Sequence, residues 1–132
     1  MPRKKRHQER PTQAEIAILS VLWQRGPSTV REVYEQLYPT RDTGYTTVLK
    51  LMQIMTRKGW LARDVSQRTH VYRAAQSQAD TQRSLVSHLI ERAFAGSASQ
   101  LVERALSIAS TSSKELEEIR HLLDEIERGR TR

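Results

Sequence analysis

Gly44-Tyr45-Thr46-Thr47-Val48-Leu49-Lys50-Leu51-Met52-Gln53-Ile54-Met55-Thr56-Arg57-Lys58-Gly59 is followed by Leu61-Ala62-Arg63-Asp64-Val65, the polar turn Ser66-Gln67-Arg68-Thr69, and His70-Val71-Tyr72-Arg73-Ala74. The period of the apolar residues changes at Gly59. At about 100° per residue, Val48, Leu51, Met52 and Met55 fall on one side of a helix running from about Tyr45 to Lys58, with Tyr45 at its margin. Thr46, Lys50, Gln53 and Arg57 fall on the opposite side, and Thr47 and Ile54 at its edge. Gly59 suits the left-handed C-terminal cap of such a helix. The two segments that follow read as short strands around a turn. A helix is thus joined directly to a β-hairpin.

Upstream, two more helices are expected. Thr12 with Glu15 and Thr29 with Glu32 have the capping-box spacing, in which a hydroxyl accepts from a first-turn N–H and the acid reaches back. The first helix spans about Glu15 to Gln24, with Ile16, Leu19, Leu22 and Trp23 at helical spacing, and Gly26-Pro27 ends it. The second spans about Val30 to Tyr38 and is closed by Pro39, before the polar connector Thr40 to Gly44. Three short helices followed by a hairpin, within residues 11–75, is the order of a winged helix-turn-helix. Beyond the polar seam Ala75-Gln76-Ser77-Gln78, helices are expected over about Asp80 to Phe94, Ala98 to Ile108 and Ser113 to Arg128. Ser97 with Gln100 and Ser112 with Glu115 supply further capping-box matches. The expected fold is mainly α: residues 1–10 a basic flexible tail, 11–75 a winged-helix domain, 76–132 a helical dimerisation domain.

Those last helices have little core of their own. Leu116, Ile119, Leu123 and Ile126 make an a/d-type stripe, and Leu85, Leu89, Phe94 and Leu101 are the other apolar candidates. A second copy of the chain is the simplest cover, because most soluble oligomers are symmetric homodimers. Folding back onto the first domain is the alternative.

Charge divides the chain in the same place. Residues 1–75 carry fourteen Lys and Arg against six Asp and Glu, whereas residues 76–132 carry eight against nine. The excess positive charge therefore lies wholly in the winged-helix half, as expected of a half that meets a polyanion. No acidic residue occurs between Gly44 and Leu61. Lys50 can donate to guanine and Gln53 can pair with adenine, while Thr46 and Thr47 can reach a phosphate or thymine methyl. The residues assigned to double-stranded DNA are Thr43, Tyr45, Thr46, Thr47, Lys50, Gln53 and Arg57, with Arg63, Arg68 and His70 from the hairpin. Arg68 at the turn is the preferred wing contact. The tail Arg3-Lys4-Lys5-Arg6-His7 adds non-specific affinity or acts as a minor-groove arm.

Other functions are disfavoured. The chain has no cysteine, which excludes disulfides, thiol nucleophiles and thiolate metal sites. Its four histidines are scattered, and no HExxH, Gly-rich phosphate loop or GxSxG is present. No catalytic residue, metal ligand or cofactor is assigned, and an enzyme is not expected. A winged-helix protein-interaction module is the alternative reading. No apolar run approaches the roughly 20 residues of a membrane span, and no apolar stretch follows the basic N-terminus as in a secretion signal. A cytoplasmic protein without membrane insertion is expected.

Several segments match a known family in order. They are Pro11-Thr12-Gln13-Ala14-Glu15, Leu22-Trp23, Thr29-Val30-Arg31-Glu32-Val33, Gly44-Tyr45-Thr46-Thr47-Val48-Leu49, Lys58-Gly59-Trp60-Leu61 and Val71-Tyr72, with Phe94-Ala95-Gly96-Ser97 and Leu101-Val102 in the tail half. Over about residues 11–128 the chain resembles the penicillinase-repressor family of bacterial transcriptional regulators, of the BlaI/MecI/CopY type. The resemblance implies a winged helix, a C-terminal dimerisation region, and repression from palindromic operators built on TACA/TGTA. It also implies two modes of release. The copper-responsive branch uses Cys-x-Cys motifs, which this chain lacks. The β-lactam branch is cut at an Asn-Phe bond by a membrane-linked sensor protease, and an ungapped match puts Arg104-Ala105 there. A ligand at the dimer interface, or protein turnover alone, are the other routes.

Overall fold

The computed structural model describes residues 10–38 and 43–130. The basic tail Arg3 to His7 and the Pro39 stop with most of its connector lie outside them. The chain forms α1 (Gln13–Arg25), α2 (Val30–Leu37), α3 (Tyr45–Lys58), β1 (Leu61–Asp64), β2 (Val71–Ala74), α4 (Gln78–Ala93), α5 (Ala98–Ile108) and α6 (Ser113–Arg130). Its contacts divide it into two compact units, residues 1–85 and 86–132. The division falls within α4, ten residues beyond the composition seam at 75/76. Thr81 in the first turns of α4 is buried, so the start of that helix is packed.

In the first unit, the local signals for α1 and α2 are satisfied in full. Glu15 N–H donates to Thr12 Oγ1 at 3.2 Å while Thr12 N–H donates to Glu15 Oε1 at 3.0 Å. Thr29 and Glu32 repeat the arrangement at 3.1 and 2.9 Å. Four first-turn or cap N–H groups that the helices cannot satisfy internally thereby find acceptors. The two later matches form only halves of the box: Ser97 caps the Gln100 N–H and Ser112 the Glu115 N–H. A cap not expected from the sequence opens α4, where Asp80 N–H donates to Ser77 Oγ at 3.0 Å. The helix therefore starts two residues before the expected Asp80.

Gly59 ends α3 with φ of 91°, a left-handed conformation that costs a side-chain-bearing residue about 1–2 kcal/mol. Its N–H reaches back to the carbonyls of Met55 and Thr56, turning the chain directly into β1. The hairpin is antiparallel, with Leu61 opposite Ala74 and Asp64 opposite Val71. Each strand is one residue shorter at the turn than the expected Leu61–Val65 and His70–Ala74. The reason is local: Asp64 accepts from the Ser66 N–H at 2.9 Å, and this side-chain turn ends the ladder. Ser28 and Tyr72 exchange both backbone hydrogen bonds, at 2.9 and 2.8 Å, which fastens the wing to the α1–α2 turn.

The core of this unit comprises Ile18, Leu19 and Leu22 from α1, Val30, Val33 and Leu37 from α2, Val48, Met52 and Met55 from α3, and Leu61 and Tyr72 from the wing. Every described element of the unit up to β2 places a residue in it, so burial sets their angles together. One ion pair adds to the join: Lys58 Nζ lies 3.2 Å from the carboxylate of Glu15, a residue only 2% exposed. This ties the end of α3 to the start of α1.

The second unit is different in kind. Neither α5 nor α6 has a single buried residue. Ala95 and Gly96 take left-handed φ of 48° and 81° to end α4, and Gly96 N–H reaches the Ile90 carbonyl at 2.9 Å. No described helix is long and apolar enough to cross a membrane.

Candidate nucleic-acid interface

The helical periodicity of α3 becomes a two-sided helix. Val48, Met52 and Met55 are fully buried and Leu51 is half-buried, while Thr46, Thr47, Lys50, Gln53 and Arg57 are exposed. The apolar back is held by the core, so the polar front is presented on a rigid support. Thr43, half-buried, lies just before Gly44, the N-cap residue of α3.

Tyr45, at the first position of α3, is 40% exposed and held from two sides. The Arg31 guanidinium carbon stands 5.4 Å from its ring centroid, and Tyr34 meets it edge-on with centroids 5.8 Å apart. Such contacts fix an aromatic ring that burial alone leaves loose.

Between α2, α3 and the wing runs a groove of about 250 Å³. Arg31 lines it from α2, Tyr45, Leu49 and Gln53 from α3, and Arg63, Arg68, Thr69 and His70 from the wing. The structure therefore brings together five of the residues expected from the sequence: Tyr45, Gln53, Arg63, Arg68 and His70. Thr43, Thr46, Thr47, Lys50 and Arg57 do not line this groove. Sequence reasoning missed Arg31, because α2 carries no pattern that marks it as part of a shared face. Its place in Thr29-Val30-Arg31-Glu32-Val33, one of the segments carrying the family resemblance, was the available signal.

Two acidic residues near this face are engaged locally. Glu32 accepts from the Thr29 N–H and pairs with Arg25 at 3.1 Å. The Thr29 backbone hydrogen bond, helped by the Arg25 charge, holds its carboxyl below the usual value. The Ser66 N–H lowers Asp64 in the same way. Hydrogen bonds that favour the ionised acid leave little of its charge unanswered.

Of the residues expected at a dimer interface, Leu85 at the end of the first unit and Phe94, Leu101, Leu116 and Ile119 in the second are half-buried, and Leu89, Leu123 and Ile126 are exposed. Val86, Val102, Leu106, Ile108 and Leu122, which were not among the expected dimerisation residues, are exposed as well. Arg104 and Ala105 are exposed and lie inside α5, where Ala105 accepts from the Ala109 N–H at 3.2 Å. Among the described residues no group of His, Asp or Glu is placed to hold a metal ion.

A rigid helix with a polar, acid-free front beside a cationic wing defines the winged-helix class of regulators. The sequence profile described as penicillinase repressor matches residues 11–125, and the chain belongs to that family. It is 28% identical over 116 residues to the transcriptional regulator BlaI of Mycobacterium tuberculosis, covering 87% of this chain and 83% of that one. It is 21% identical over 111 residues to the methicillin resistance regulatory protein MecI of Mammaliicoccus sciuri, covering 84% and 90%. Among solved structures, a MarR family protein from Bacillus stearothermophilus is similar with a TM-score of 0.51 and 20% identity, covering 98% of this chain and 82% of that one. A transcriptional regulator from Thermotoga maritima also gives 0.51, at 22% identity, covering 92% and 80%. These two likenesses bear on the fold.

Proposed function

We propose that the protein is a cytoplasmic transcriptional repressor that binds palindromic operator DNA as a homodimer, with α3 in the major groove. The observation that carries this reading is the front of α3. Thr46, Thr47, Lys50, Gln53 and Arg57 are exposed on a helix whose back is buried, with no acidic residue from Tyr45 to Trp60. Lys50 and Gln53 have the chemistry to read base edges, and Arg57 that of a phosphate contact. Family membership supports repression, and it supports half-sites of the TACA/TGTA kind.

The exposed apolar residues of α4 to α6 support dimerisation. Leu123 is 60% and Ile126 47% exposed, although both lie on one a/d-type stripe. Covering that stripe with a second copy removes it from water and sets two α3 helices against half-sites about one helical turn, roughly 34 Å, apart.

Release follows from separating the two functions. A cut at Arg104-Ala105 severs α6 from the DNA-binding unit, so each half-site must be held alone and affinity falls. The bond lies inside a helix, so a membrane-linked protease of altered specificity acts on a locally unwound α5.

The test is a titration of the full chain with a duplex carrying two TACA/TGTA half-sites and with a scrambled duplex of equal length. Tight, steeply salt-dependent binding to the first, by a species that sediments as a dimer, is the expected result. Equal affinity for both duplexes, or a monomer at micromolar concentration, would refute it.

A further inference from the structure

The groove between α2 and the wing holds a charge arrangement that folding alone does not explain. Arg31 on α2 and Arg63, Arg68 and His70 on the wing line it together, and among the described residues no carboxylate lines it. Two other cations of this unit are answered by acids: Arg25 by Glu32 at 3.1 Å and Lys58 by Glu15 at 3.2 Å. The acids nearest in sequence to the groove are taken up by Arg25 and by the Ser66 N–H. Among the described residues, the contact made by the Arg31 guanidinium is with the face of Tyr45, 5.4 Å away. A ring face attracts the charge without using the guanidinium's N–H donors in ordinary hydrogen bonds. Cations gathered around one groove repel one another, and such an arrangement favours an anion.

We propose that this groove seats one phosphate of the DNA backbone, with Arg31 as its ligand from α2 and Arg68 and His70 as its ligands from the wing. The proposal rests on the duplex-binding reading above and extends it. A guanidinium presents a planar fork of donors that matches phosphate oxygens two at a time. Val30 and Leu49 also line the groove, and an apolar lining strengthens a charge contact made against it. Gln53 lines the same groove and belongs to the front of α3. The seat therefore fixes the strand beside the base-reading face, and Arg31 sets register without itself reading sequence.

The experiment compares wild type, Arg31→Ala and Arg31→Lys on a TACA/TGTA half-site duplex and on a scrambled one, over a range of salt concentrations. Arg31→Ala should weaken both duplexes about tenfold. It should also lower the slope of log K against log salt by about one for each half-site engaged. Arg31→Lys should keep the slope, because the charge remains. In a second arm, a neutral methylphosphonate is placed in turn at each backbone position of one half-site. At one position wild type should lose affinity while Arg31→Ala does not. Should Arg31→Ala melt too low for comparison, Arg31→Gln, which keeps the stem beside the ring, carries the same test. An unchanged salt slope, or a loss confined to the half-site duplex, would make Arg31 a mere prop for Tyr45 and overturn the proposal. Absence of salt-dependent duplex binding by wild type would instead overturn the function on which it rests.

Discussion

Lys50 and Gln53 stand one turn apart on the exposed front of α3, and residues this close on a recognition helix reach neighbouring base pairs. Each bidentate contact to a base edge discriminates by about 1–3 kcal/mol. Lys50→Ala and Gln53→Ala should therefore each weaken half-site binding by about that amount and relax the preference at one position. Arg68, at the tip of the wing, should behave otherwise: Arg68→Ala weakens all duplexes alike, since a phosphate contact carries no sequence information. Competition with half-sites permuted one base at a time separates the two outcomes. An unaltered preference profile in Lys50→Ala would place the recognition face elsewhere.

At the scale of the element, α2 is eight residues long and depends on its ends. Isolated helices of that length do not hold in water. Its capping box and the Arg25–Glu32 pair join it to the α1–α2 turn. Because the Thr29 N–H holds the Glu32 carboxyl below its ordinary value in the folded state, this contribution is complete above that ordinary value. It is lost as pH falls through the lower folded value, when Glu32 takes up its proton. Urea melts between pH 7 and pH 3 should show acid loss of stability in wild type and a shallower loss in Glu32→Gln. Identical pH profiles would show that the Glu32 linkage adds nothing to α2. The substitution keeps the side-chain oxygen that meets the Thr29 N–H, so the comparison isolates the charge.

For the whole molecule, the two units differ in what completes them. Among the described residues, the first has a core of eleven buried apolar side chains. The second leaves its apolar residues accessible, with Ile108 at 85% and Leu122 at 53% exposed. Leu123→Ser with Ile126→Ser should leave the melting of the first unit unchanged, because neither residue lies in that core. The full chain should then sediment as a monomer at concentrations where wild type is a dimer. Affinity for the two-half-site duplex should drop by about two orders of magnitude or more, towards that of one half-site. Retention of the dimer in the double variant would move the interface away from the α6 stripe.

Much of the fold was legible because its signals are short-ranged. The boxes at Thr12–Glu15 and Thr29–Glu32, the left-handed glycines at 26 and 59, and the apolar period of α3 each depend on residues a few positions apart. Those distances are fixed by helix geometry whatever the rest of the chain does. The same logic marked the front of α3, since a helix with a buried back has a determined opposite side. Strand ends were less legible, because a single hydrogen bond from Ser66 to Asp64 decides where the ladder stops. The tertiary structure alone joined Glu15 to Lys58 across 43 residues and paired Ser28 with Tyr72. It also placed Arg31 with Arg63, Arg68 and His70 around one groove. Charge and periodicity say which side of an element faces outward, but only the packing of three helices and a hairpin over one core sets which outward sides share a rim.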